Sequence, residues 1–187
     1  MKKIMLGALV AVAAICSNAA TVSWTLTNVN QDGVGVSGAM YIFTAESVAR
    51  DTILALSGKG ADVVSAAMAD ANIAWTVSGG TGTVGATSAN RVALEDAGLE
   101  GSTTYNFYAV VFDTATITDE SSFYVTATKS VPMADASTSN NKVIGFGSQS
   151  TASAAEGAWN AVAVPEPTSG LLMLVGLAGL ALRRRRA

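Results

Sequence analysis

Apolar and polar residues alternate strictly in "TVSWTLTNV", where Val22, Trp24 and Leu26 stand against Ser23, Thr25 and Thr27. A period of two places one set on a buried face and the other toward solvent, and so predicts a strand. The run "VSGAMYIFT" follows the turn-forming "NQDGVG", and the two runs together predict a hairpin. From Thr44 the period lengthens. Val48, Thr52 and Leu56 recur at fourth positions, Glu46 stands in the first turn, and Gly58 offers a stop. In "ADVVSAAMADAN", Val63 or Val64, Ala67, Met68 and Ala71 again share a helical face, with Asp62 available as a cap. Two short amphipathic helices are expected here, covering a sheet edge or one end of the core. Beyond "IAWTV", the stretch "SGGTGTVGATSAN" reads as a loop, and its glycines lack the spacing of either phosphate-binding motif.

The alternation returns most clearly in the second half. Tyr105, Phe107, Ala109 and Val111 alternate with Asn106, Tyr108, Val110 and Phe112, and after a turn-rich spacer Phe123, Val125 and Ala127 alternate with Tyr124, Thr126 and Thr128. This predicts a second hairpin whose first strand carries aromatics on both faces. "NKVIGFGSQ" supplies one more strand, and "STASAAEGAWNAVAV" reads as a low-complexity linker. Leu99 and Gly101 precede Tyr105 by six and four residues. That arrangement resembles the tyrosine corner of immunoglobulin and fibronectin type III-like sandwiches, in which the phenol bonds back to the upstream backbone; an ordinary core tyrosine is the other reading. The expected fold is mainly β, an antiparallel β-sandwich with a two-helix excursion.

The two ends follow different patterns. At the N-terminus, Lys2 and Lys3 precede an apolar run over residues 4–15 and a small-x-small site at Ser17 and Ala19. This is the layout of a signal peptide, with cleavage expected between Ala19 and Ala20. The run is too short for a spanning helix. Cys16, the chain's only cysteine, follows the bulky Ile15, which does not suit lipidation, and the mature chain would hold no thiol at all. At the C-terminus, thirteen apolar or small residues, 170–182, lie between two prolines and four arginines. As a helix they would measure about 20 Å against a hydrocarbon core of about 30 Å, a marginal span. Arg183, Arg184, Arg185 and Arg186 would hold the C-terminus inside as a stop-transfer signal, leaving the body exported.

Pro165, Glu166 and Pro167, the Gly- and Leu-rich segment and the arginine cluster together resemble the PEP-CTERM sorting domain of bacterial exported proteins. The resemblance implies handling by an exosortase, a membrane-embedded, cysteine protease-like enzyme, in a diderm bacterium that also makes extracellular polysaccharide. The expected organisation is a signal peptide over 1–19, a β-sandwich body over 20–150, a linker over 151–164 and a sorting tail over 165–187, with the signal and tail segments helical. Expected partners are the export translocon, the exosortase, the inner membrane as a transient station and extracellular polysaccharide.

Charge and chemistry narrow the rest. Residues 20–164 carry five basic residues (Arg50, Lys59, Arg91, Lys129, Lys142) against thirteen acidic ones, a balance that disfavours nucleic acid. The chain has no histidine, which removes Ser-His-Asp and Cys-His catalysis and His-ligated zinc. Glu95, Asp96, Asp119 and Glu120 are the only carboxylate pairs to consider for glycosidase chemistry, and each lies in a turn context. Asn28, Asn30 and Asp32 imitate the first half of a calcium loop, but Ala39 stands where its twelfth-position acid belongs, so a hairpin turn is expected. No cofactor, metal or catalytic residue is assigned. The expectation is a non-enzymatic surface or matrix protein with an adhesive or structural role; the alternative is a carbohydrate-binding module, which Trp24, Trp75 and Trp159 aligned on one exposed face would favour.

Overall fold

In the computed structural model, residues 20–31, 34–78, 80–85, 91–148 and 158–163 are described. The signal segment, the sorting tail and their expected helices lie outside them. Among the described residues, no helix is long and apolar enough to cross a membrane.

Among the described residues thirteen elements follow one another: β1 (Thr21–Gln31), β2 (Val34–Gly35), β3 (Ser37–Thr44), α1 (Arg50–Leu54), α2 (Ala61–Met68), β4 (Ile73–Ser78), β5 (Gly80–Gly85), β6 (Val92–Ala93), β7 (Thr104–Phe112), β8 (Ser122–Val125), β9 (Lys129–Pro132), β10 (Asn141–Ser148) and β11 (Asn160–Ala161). They form two sheets. In the first, β1 is flanked by β10 and pairs also with β2, β5 and β6; in the second the order is β11-β8-β7-β3-β4, with β9 added to β7.

The alternation of β1 buries Val22, Trp24 and Leu26 against Met40, Ile42, Phe107, Ala109 and Val111 of the second sheet. This is the sandwich core. The other face of the second sheet is also buried: Phe43, Tyr108, Val110, Phe112, Phe123 and Val125 pack against Ile53 of α1 and Val64 and Met68 of α2. The aromatics on both faces of β7 therefore have a simple cause, since β7 is the central strand of a sheet covered on both sides. The helices form a third layer over the middle of that sheet face, where the sequence pattern placed them at an edge or end.

Three further differences have physical causes. The runs of β1 and β3 do not form a hairpin with each other: β1 pairs briefly with β2 through Asn30↔Gly35 and Gln31↔Val34, and β3 then enters the other sheet between β4 and β7. Alternation fixes which face is buried and leaves the partner open. The sandwich is not wholly antiparallel, because β10 runs parallel to β1 over Thr21↔Asn141 to Thr25↔Gly145. These strands come from opposite ends of the body, so no tight turn dictates their direction; a polar seam fixes their register instead, Thr21 Oγ1 donating to Asn141 Oδ1 at 3.0 Å and Asn141 Nδ2 donating to Ser23 Oγ at 2.9 Å. Finally, much of the expected glycine loop is strand β5, held by its ladder with β1. The expected second hairpin is present, as Val110↔Val125, Val111↔Tyr124 and Phe112↔Phe123.

Candidate functional site: the junction of body and tail

Residues 158–163 carry the chain from the body toward the tail, within the stretch expected as linker. They are built into the fold. β11 pairs with β8 through Asn160↔Phe123 and Ala161↔Ser122. The Val162 N–H donates to Ser121 O at 2.9 Å, and on the opposite side the N–H groups of Gly58 and Gly60 donate to Ala161 O and Val162 O, each at 2.9 Å. Lys59 and Ala163 form a further antiparallel bridge. The Val162 side chain is fully buried in the helix-side core.

Two glycines make this groove possible. Gly58 and Gly60 have φ of 76° and 93°, a backbone region that costs L residues strain. These turns direct the α1–α2 connection so that its amides face the passing chain. Trp159 fastens the same segment at the other layer: its Nε1 donates to Asn30 O of β1 at 3.0 Å, and its ring meets Tyr124 edge-on at 5.0 Å. One indole thus ties the C-terminal segment to both sheets.

Ala163 is the last described residue of this segment, and the sequence downstream begins a different pattern. Residues 163–186 match the PEP-CTERM protein-sorting motif. The PEP-CTERM segment thus starts at a residue the body holds, with only Val164 between Ala163 and Pro165. With this PEP-CTERM tail the chain is an exported protein, recognised by an exosortase and processed at the membrane on its way to the cell surface. No curated protein and no solved structure matches the chain. The tail residues singled out above, Pro165, Glu166, Pro167 and Arg183 to Arg186, lie outside the described residues, as does Ala19.

Ala20, the expected first mature residue, is described. It is buried, its carbonyl accepts from the Leu94 N–H at 3.1 Å, and it helps wall a cavity of about 450 Å³ together with Leu94, Glu95, Leu99 and Glu100. At this cavity the Glu100 N–H donates to the Tyr105 hydroxyl at 3.0 Å. The phenol therefore does bond to the upstream backbone, as in a tyrosine corner.

Several polar side chains of the body hold the fold, Asp119 among the candidates. Asp119 Oδ1 accepts from the Ala61 N–H at 2.7 Å and caps α2 from outside the helix, a role that Asp62, two residues into the helix, does not take. Glu46 accepts from the Asn106 side chain at 2.8 Å, Asp113 from the Ser122 N–H at 2.9 Å, and Arg50 Nε donates to Thr126 O at 2.9 Å. Asp96 and Glu120 are exposed in turns. Asn30 pairs with Gly35 in the antiparallel β1–β2 ladder, and Asp32 lies outside the described residues. The three tryptophans do not share an exposed face: Trp24 is fully buried, Trp159 is half-buried, and Trp75, 36% exposed on β4, meets Trp24 edge-on at 5.4 Å.

Proposed function

We propose that the body is a non-enzymatic structural or adhesive component of the cell surface or extracellular matrix of a diderm bacterium. A signal peptide removed between Ala19 and Ala20 would export it through the translocon. The tail would then park it in the inner membrane, with residues 170–182 as a short anchor and Arg183, Arg184, Arg185 and Arg186 inside. Processing near Pro165, Glu166 and Pro167 would free the acidic body. One observation carries the reading of the body: the charged side chains of Arg50, Glu46, Asp113 and Asp119 are engaged in strand, loop and cap hydrogen bonds. Such a molecule offers surface and shape.

The test is a strain lacking the chain, complemented by the chain or by a tail-less version. Reduced retention of matrix on the cells, restored only by the chain with its tail, is the expected result. Hydrolysis of glycans or peptides by the purified body would overturn the non-enzymatic reading. Saturable binding to extracellular polysaccharide, lost on Trp75→Ala, would replace it with a carbohydrate-binding role.

A further inference from the structure

The sorting enzyme and the folded body make claims on neighbouring stretches of one short segment. In the body, the backbone groups of Ala161 and Val162 are committed on both sides, to Gly58 and Gly60 at one flank and to Ser121 at the other. Asn160 Nδ2 adds a contact to Phe123 O at 3.3 Å, and Ala163 is bridged to Lys59. Because an extended residue spans at most about 3.6 Å, the single residue Val164 lets Pro165 stand no more than about 7 Å beyond the Ala163 position. An enzyme that grips extended chain does so through the backbone amides and carbonyls on either side of the scissile bond. Upstream of the motif those groups are already inside a sheet.

We propose that the exosortase and the body compete for residues 160–163, so that undocking of β11 is a step in processing of the tail. This rests on the reading that the tail is removed near Pro165, Glu166 and Pro167. The construction suits a reversible step. β11 contributes only two ladder residues, it lies at the edge of its sheet, and one buried side chain, Val162, anchors it. Short edge elements of this kind open locally without global unfolding. After processing, the segment returns to its groove and closes the β8 edge, which would otherwise stand open as a template for pairing. The same strand is thereby the handle during sorting and the seal afterwards.

Two variants of the full-length chain, assayed in membranes containing its exosortase, test this with opposite signs. Ala161 and Ser122 are direct cross-strand partners, a separation within reach of a disulfide. Ser122→Cys with Ala161→Cys therefore locks β11 when oxidised, in a chain whose only native cysteine is Cys16 in the signal segment. Trp159→Ala removes one hydrogen bond and one aromatic contact and raises the undocked fraction about tenfold. The rate of tail loss, read by mass spectrometry, should fall about tenfold or more in the oxidised pair, because a covalent lock removes the open state. It should recover on reduction and rise several-fold in Trp159→Ala. The parental chain under both redox conditions sets the baseline. Equal rates for the oxidised and reduced pair, or no acceleration by Trp159→Ala, would overturn the competition. Absence of any tail loss from the parental chain would instead overturn the processing reading beneath it.

Discussion

Tyr108 and Tyr124 are both buried in the second sheet, and their hydroxyls are treated differently. Tyr108 Oη donates to Val48 O at 2.9 Å, tying β7 to the segment that leads into α1. Tyr124 Oη has no hydrogen-bond partner among the described residues, and neither does Trp24 Nε1. A buried bond contributes about 1 kcal/mol, whereas a buried hydroxyl without one carries only its desolvation cost. Tyr108→Phe should therefore lower stability by about 1 kcal/mol and Tyr124→Phe should leave it unchanged or raise it slightly, by chemical denaturation of the body. Burial pushes both phenols well above the ordinary tyrosine range, with Arg50 opposing the shift at Tyr108. A folded-state value above the unfolded one means that the associated stability is whole below about pH 10 and lost as pH rises beyond it. The melting temperature should thus fall above about pH 10, and less steeply in Tyr124→Phe. At the acid end, the Ser137 hydroxyl and N–H bonds hold the Asp135 carboxyl below its usual range. Its contribution runs the other way, present at neutral pH and lost on acidification.

Among the elements, the strands with strong apolar patterning were legible: β1, β7 and β8 coincide with runs of alternating residues, and β3 and β10 with the runs "VSGAMYIFT" and "NKVIGFGSQ". The short ones were not. β5 is glycine- and threonine-rich, and only its ladder with β1 makes it a strand; β11 lies in a stretch of small residues whose one strong signal, Val162, is meaningful only beside the α1–α2 connection. The cap of α2 was hidden for the same reason, since Asp119 lies 58 positions away from Ala61. Composition reports local preference, and these features are contacts between distant parts of the chain. The consequence is measurable. The body expected from sequence ends near residue 150, whereas the fold's contacts continue to Ala163. Burial of Val162 alone is worth about 1.5–3 kcal/mol, and Trp159 adds its hydrogen bond and ring contact. A fragment spanning 20–150 should melt roughly 5–10 °C below one spanning 20–163. Equal melting temperatures would show that the docked segment contributes nothing to the body.

For the whole molecule, the C-terminal tail was the readable part. A sorting tail is recognised in linear form, so its three components stand in the sequence in order, and the match over residues 163–186 agrees with them. The role of the body was not readable, because adhesion or a matrix role requires no fixed constellation of residues. The body is a three-layer fold without histidine, acidic between two basic termini. The junction unites the two levels, since Ala163, bridged into the fold, also begins the matched motif. Intact mass of the protein recovered from the cell surface decides whether that junction is used as described. The predicted species begins at Ala20, ends close to Pro165, Glu166 and Pro167, and lacks Arg183 to Arg186. Surface protein that retains every residue through Ala187 would contradict it, and would leave the tail as a permanent anchor.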